Sequence, residues 1–139
     1  MQLEAELVLE LNVEIGEAKE VGMTSEGFLR LIPITGGTFS GKGIKGKVIP
    51  GGYDWNVTVN DKLSHLLAKY AIQTDDGDYI SVENEGYIDF TQNDFIKTTP
   101  RFQVQSEKYA WLQSGVFVGS LMPLDGNVPG VKINVYKLK

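Results

Sequence analysis

The chain has 139 residues, a length that suits one domain with its own hydrophobic core. Hydrophobic residues make up 42% and charged residues 22%, which is typical of a folded globular protein and excludes a disordered one. There is no cysteine, so disulfide bonds, thiolate metal sites and cysteine nucleophiles are excluded together.

The net charge of −5 is distributed unevenly along the chain. Residues 1–27 contain seven acids and one base, and residues 70–96 contain seven acids and no base. Such stretches repel a polyanion, so the sequence predicts no nucleic-acid partner. The first residues lack the pattern of a signal peptide, and no apolar run approaches the roughly 18 residues of a membrane helix. These features predict a cytoplasmic protein with no membrane partner.

The first predicted element is a β-strand near the N-terminus. Hydrophobic residues occupy the odd positions from Leu3 to Val13, polar residues fill the even ones, and Val8 is the exception. A period of two buries one face of a strand and exposes the other. Leucine and glutamate favour helices, but a helix would scatter these leucines around its circumference. The pattern therefore predicts one long strand with a complete core face.

Further strand-like segments follow at short intervals. They cover residues 28–34, 44–49, 55–59, 66–74, 80–88, 116–121 and 131–138. The sequence Asp75-Asp76-Gly77-Asp78 separates two alternating segments, which is a strong signal for a hairpin turn. Ser106 is suited to cap a short helical turn over residues 107–113, and Gly115 follows its end.

This pattern predicts an all-β chain, with residues 1–139 forming a single domain. Many short strands without a βαβ unit are typical of a sandwich or a barrel. We favour one antiparallel barrel of about eight to ten strands, because closure removes the open sheet edges. One short helical turn near residues 107–113 completes the prediction.

Two phosphate-loop patterns overlap in the glycine-rich stretch. Residues 36–42 match G-x-x-x-x-G-K, and residues 41–46 match G-x-G-x-x-G. Both motifs act at the start of a helix, whereas Val48-Ile49-Pro50 and two glycines follow here. We interpret the glycines as a strand bend or bulge.

The sequence indicates no metal site and no cofactor. The acidic turn at Asp75 lacks the glycine and glutamate that a calcium loop needs at its sixth and twelfth places. The single histidine, His65, has no partners at metal-ligand spacing, and we interpret it as a surface or structural residue.

Two clusters combine aromatic residues with polar or charged ones. The first is the sequence PGGYDW at residues 50–55, and the second spans TTPRF and YAWL at residues 98–112. Aromatic surface with a few polar groups is typical of small-molecule pockets. The alternative is that Trp55 and Trp111 pack in the core while Asp54 and Arg101 form a structural ion pair.

Four longer strings carry a resemblance to a known family. They are GGTFSGKGIKGKVIPGGYDW, AKYAIQTDDGDYISVENEG, TTPRF and YAWLQSGVFVG, in this order. Together they resemble the bacterial and fungal proteins known as domain of unknown function 3237. The resemblance implies a single β-barrel domain and supplies no biochemical function.

The resemblance also implies a set of family positions in this chain. They are Pro50, Gly51, Gly52, Asp54, Trp55, Tyr70, Asp76, Gly77, Asn84, Thr99, Pro100, Phe102, Tyr109 and Trp111. Gln103 and Gln113 stand where the family pattern often has an acid and an asparagine, respectively. If that acid is a catalytic base in relatives, this chain lacks it.

The preferred functional hypothesis is the binding of a small organic molecule in the barrel, with proton-transfer or dehydration chemistry. Asp54 is the expected base or orienting acid, and Arg101 is expected to bind an anionic group. Expected hydrogen-bonding and wall residues are Tyr70, Tyr109, Asn84, Trp55 and Trp111. The rival is a non-catalytic structural or oligomerising protein. The sequence leaves open whether the chain is an enzyme and whether it forms a homo-oligomer.

Overall fold

The structure, a computed structural model, describes all residues from Met1 to Lys139. It contains nine β-strands: β1 (Ala5–Ile15), β2 (Lys19–Thr24), β3 (Gly27–Gly41), β4 (Ile44–Thr58), β5 (Leu63–Thr74), β6 (Tyr79–Asp89), β7 (Ile96–Gln103), β8 (Phe117–Pro123) and β9 (Gly130–Leu138). A 3-10 turn (Glu107–Tyr109) and a one-turn helix α1 (Trp111–Ser114) connect β7 to β8. The predicted all-β class, strand number and short helical segment are confirmed.

Eight of the strands close into an antiparallel barrel. Their order around the barrel is β1-β9-β8-β7-β6-β5-β4-β3, and pairing of β1 with β3 closes the ring. Strand β3 is long enough to serve two neighbours on this side. Its second half pairs with β1, whereas its first half pairs with β2, which lies outside the ring. The predicted barrel is therefore confirmed.

Strand β1 contains a bulge that divides its alternating pattern. Leu9, Leu11 and Val13 are buried as predicted, but Leu3 is 65% exposed and Leu7 45%. The register with β9 shifts between Leu7 and Leu9, and Val8 between them is buried. One inserted residue moves all side chains on one side of it to the opposite face. The prediction of a single complete core face from Leu3 to Val13 is therefore wrong for its first part.

The glycine-rich stretch forms strand and turn, which confirms its interpretation as a bend. The register between β3 and β4 is irregular between Ile34 and Thr38, and a tight turn at Lys42 and Gly43 links the two strands. Gly37 has a φ of 132° and lies against the backbone of Asn12 on β1. The glycines therefore serve the close approach of strands where the barrel closes.

The core occupies the barrel interior and extends to the helical segment. Its largest fully buried hydrophobic side chains are Leu9, Leu11, Ile72, Ile80 and Leu112. The Ser106 hydroxyl accepts a hydrogen bond from the Lys108 amide at 3.3 Å, as a helix cap does. Leu112 of α1 is buried and packs as part of this core.

The turn between β5 and β6 is the predicted hairpin. The Gly77 amide donates to the Thr74 carbonyl at 2.9 Å, and Gly77 has a φ of 99°.

No helix in the structure has both the length and the apolar character needed to cross a membrane.

Candidate functional site

Strand register determines which polar side chains point into the barrel. Residues directly opposite one another on neighbouring strands share a face of the sheet. Asp54 on β4 lies opposite Ala68 on β5, and Ala68 lies opposite Asn84 on β6. Asn84 is 1% exposed, so the side chains of this row face the barrel interior. Asp54 belongs to the row and therefore also faces the interior.

Asp54 is a partly buried carboxyl group with few compensating contacts. Burial raises its pKa above the ordinary value of 3.8, and this effect outweighs the others. The Leu67 amide donates to Asp54 Oδ1 at 3.2 Å and, with the Asn56 side chain and His65, partly offsets the rise in pKa. A carboxyl group in this setting holds its proton at a higher pH than a solvated one, which suits acid–base chemistry.

Three buried polar atoms on the neighbouring strands have no hydrogen-bond partner. They are Tyr70 Oη on β5, Asn84 Oδ1 on β6 and Thr98 Oγ1 on β7. Tyr70 lies opposite Val82, two residues before Asn84, and Thr98 lies two residues before Pro100, which is opposite Asn84. The three side chains therefore follow one diagonal across the inner wall.

The part of this inner face that belongs to β3 and β4 is partly exposed. The inner-facing side chains within residues 28–32 of β3 and 54–58 of β4 are partly exposed, whereas Leu66, Asn84 and Thr98 in the same rows are buried. The partly exposed residues are Phe28, Arg30, Ile32, Asp54, Asn56 and Thr58. We use the term inner crevice for these six residues together with Tyr70, Asn84 and Thr98.

Burial also defines what Tyr70 can do in the inner crevice. Loss of solvation raises the pKa of its phenol, so the hydroxyl stays protonated at physiological pH. Tyr70 is therefore suited to donate a hydrogen bond, while the amide oxygen of Asn84 is suited to accept one. The structure places Asp54, Tyr70 and Asn84 on the same inner face, on three adjacent strands.

Arg101 and Trp55 lie on the other side of the sheet. Arg101 alternates with the inward-facing Pro100 and Phe102, its side chain is 73% exposed, and Nη2 lies 3.1 Å from the Glu83 carboxylate. Trp55 follows Asp54 directly and is 47% exposed on the outer face. The structure forms neither a shared pocket nor an ion pair between Arg101 and Asp54.

Tyr109 and Trp111 belong to the helical segment at the far end of the barrel. Tyr109 Oη donates to Asp76 Oδ1 at 2.9 Å, and Lys108 Nζ donates to Oδ2 at 3.0 Å. Hydrogen bonds from Thr74, Lys108 and Tyr109 hold the pKa of Asp76 well below its usual range. Trp111 packs against Phe117, with ring centroids 6.3 Å apart. These contacts fasten the segment to the hairpin turn and do not reach Asp54.

Arg30 is the main residue of the crevice that sequence reasoning did not select. Nη1 donates to Thr58 Oγ1 at 3.1 Å, and the guanidinium carbon lies 4.5 Å from the centre of the Phe28 ring. The available signal was a single charge inside the otherwise apolar segment 28–34. A charge on a strand's inner face needs a partner or solvent, which makes such a position informative.

A concavity lies beside β6 to β9, where most of its lining side chains face outward and Thr98 and Asn134 also line it. It encloses about 910 Å³, and Tyr87, Phe95, Lys97, Val118 and Tyr136 are among its lining residues. His65 borders this region, with Nε2 2.7 Å from Glu85 Oε2 and its ring 4.8 Å from that of Tyr87. His65 therefore has side-chain partners on the outer face, outside the inner crevice.

These features define a small closed β-barrel with a group of polar side chains on a partly exposed section of its inner face. The sequence model of a family described as protein of unknown function (DUF3237) matches residues 3–138. The chain belongs to this family, which confirms the resemblance identified from its motifs.

Relatives and solved structures agree with this assignment. A UPF0311 protein from Rhodopseudomonas palustris is 35% identical over 133 residues, which cover 85% of this chain and 87% of the relative. The crystal structure of a conserved protein of unknown function from the same species has a TM-score of 0.90 at 33% identity, covering 100% of this chain and 99% of that one. An enzyme from Penicillium herquei has a TM-score of 0.80 at 24% identity, covering 100% and 96% of the two chains. The last likeness concerns the fold alone.

Proposed function

We propose that this protein binds a small organic molecule in the inner crevice and that Asp54 exchanges a proton with it. Tyr70 donates a hydrogen bond to the molecule, and Asn84 and Thr98 hold its polar groups. The apolar side chains of Phe28 and Ile32 contact its body. This combination of apolar surface with a few fixed polar groups is the usual composition of a small-molecule site.

The observation that carries the proposal is the diagonal of unpaired atoms on Tyr70, Asn84 and Thr98. A buried polar atom without a partner destabilises a protein by about 1–3 kcal/mol. Such atoms are rare in native proteins, and a molecule bound beside the partly exposed side chains of β3 and β4 would supply the missing hydrogen-bond partners. The partly buried Asp54 next to them supplies the group with altered acidity that reactive sites contain.

Binding is tested by replacing Asn84 and screening a fragment library with ligand-observed NMR. We expect fragments that bind the natural protein to lose binding to Asn84→Leu. The variant is expected to stay folded, because an apolar side chain of similar size removes an unpaired oxygen from the interior.

The matched control is Asn134→Leu. Asn134 also has a buried unpaired Oδ1, but it lies opposite Glu10 and Ser120 on the outer face. Asn134 also lines the concavity beside β6 to β9, so fragments that Asn134→Leu loses and Asn84→Leu keeps bind in that concavity, whereas fragments of the inner crevice should still bind Asn134→Leu. If every fragment that binds the natural protein also binds Asn84→Leu equally well, the proposal is contradicted and a purely structural role for the crevice is favoured.

The acidity of Asp54 predicts a specific dependence of stability on pH. Its pKa is higher in the folded chain than in the unfolded one, so the folded state binds more protons between these two values. The contribution of Asp54 to stability is therefore favourable at low pH and decreases as pH rises from 3.8 through the folded-state pKa. Asp54→Asn should gain stability relative to the natural protein across this window and keep the gain at neutral pH, as measured by urea unfolding.

Asp89→Asn provides a control with the opposite sign. Hydrogen bonds from Thr91 lower the pKa of Asp89, so its contribution is present above the unfolded pKa and is lost as pH falls. This variant should lose stability relative to the natural protein as pH rises. If the difference between Asp54→Asn and the natural protein does not change with pH, Asp54 is not a carboxyl of raised pKa.

A further inference from the structure

Arg30 is the one cationic side chain of the inner crevice. It lies opposite Asn56, and Asn56 lies opposite the buried Leu66, so the arginine faces the interior. Asp54 lies on the same face of the neighbouring strand β4, in a position diagonal to Arg30. Diagonal positions on adjacent strands are about 7–8 Å apart.

The guanidinium of Arg30 is held in place but not neutralised. Thr58 and Phe28 fix its position through one hydrogen bond and one ring contact. No carboxylate lies within 4 Å of it, and Glu20, its register partner on β2, makes no ion pair with it. Arg101, the other arginine of the chain, is paired with Glu83.

We infer that Arg30 binds the carboxylate of an organic acid in the inner crevice. This inference rests on the proposed function and names the substrate class of that site. A guanidinium donates two parallel hydrogen bonds to a carboxylate, and a fixed guanidinium loses little side-chain freedom on binding. In a chain of net charge −5, an unpaired cation on an inner face is a local attraction for an anion.

The surroundings of Arg30 distinguish a carboxylate from a phosphate. Phosphate sites present several cations or a group of backbone amides, whereas the crevice offers one arginine. Phe28 and Ile32 add partly exposed apolar surface on the same face. The site therefore fits a monoanion with an apolar body, whose reactive atom reaches Asp54 while its carboxylate contacts Arg30.

The test compares acids with their neutral amides. Benzoate, phenylacetate and cinnamate are each paired with the corresponding carboxamide and titrated by NMR and calorimetry, with inorganic phosphate as a further probe. We expect at least one acid to bind more than tenfold better than its amide. Arg30→Lys should weaken that acid about tenfold, because it keeps the charge but loses the two-pronged geometry.

Arg101→Lys is the matched control and should leave the affinity unchanged, since Arg101 lies on the outer face. Thermal unfolding of both variants verifies that they remain folded. Any of four results would overturn the inference. The acids and their amides bind with equal affinity, or Arg30→Lys binds the acid as well as the natural protein does. Alternatively, phosphate displaces the acid with equal affinity, or no acid binds. If amides bind the natural protein but not Asn84→Leu, the proposed function is still supported, and only the assignment of an organic acid as the ligand is wrong.

Discussion

Replacement of Gly37 by alanine is expected to destabilise the barrel more than any other single methyl addition on β3. A Cβ atom built at Gly37 would lie 1.9 Å from the Asn12 carbonyl oxygen on β1. Gly37 lies opposite Val13 where β1 and β3 close the ring, so the backbone would have to separate at that seam. Its φ of 132° adds a backbone conformation that alanine rarely adopts.

Gly36→Ala separates these two effects. Gly36 has a comparable φ of 151°, but its added Cβ would meet only Glu14 Oε2, at 3.9 Å. The strained backbone alone costs about 1–3 kcal/mol. Gly37→Ala should exceed this by several kcal/mol, a large part of the roughly 5–15 kcal/mol that stabilises a domain. Urea unfolding measures both variants, and equal losses would show that the seam can open to admit a methyl group.

Local sequence patterns predicted the architecture because they act within a few residues. The acidic turn at 75–78 separates two alternating segments, and Ser106 and Gly115 delimit a short helical segment, so each element is specified by its own residues. The number of strands then limits the fold to a sandwich or a barrel. Closure itself depends on pairing between β1 and β3, whose paired residues are 19 to 32 positions apart along the chain.

The candidate site was harder to predict because it depends on which face each side chain occupies. Within one strand, Asp54 and Trp55 must point to opposite faces, and so must Pro100 and Arg101. Each sequence motif therefore contains residues of the inner crevice together with residues of the outer surface, and a site predicted from whole motifs combines the two faces. Predicting that Arg30 lies diagonally to Asp54 also requires knowledge of the register between β3 and β4. An irregularity in their pairing shifts this register, and no local sequence pattern reveals the shift.

The bulge in β1 can be tested by substitutions, because one inserted residue moves the side chains on one side of it to the opposite face of the strand. The alternation from Leu3 to Val13 predicted equal roles for Leu7 and Leu9, whereas the structure exposes 45% of Leu7 and none of Leu9. Leu9→Ala should lower the free energy of unfolding by about 2–5 kcal/mol, the range for a buried leucine.

Leu7→Ala is the matched variant, because it makes the same change two residues away on the outer face. Its expected loss is below about 1 kcal/mol, since surface substitutions have small effects. Val8→Ala should cost more than Leu7→Ala although valine is smaller, because Val8 is buried at the bulge. Urea unfolding of the three variants tests the order Leu9, Val8, Leu7. A loss at Leu7 as large as that at Leu9 would mean that the strand keeps a single uninterrupted face and has no bulge.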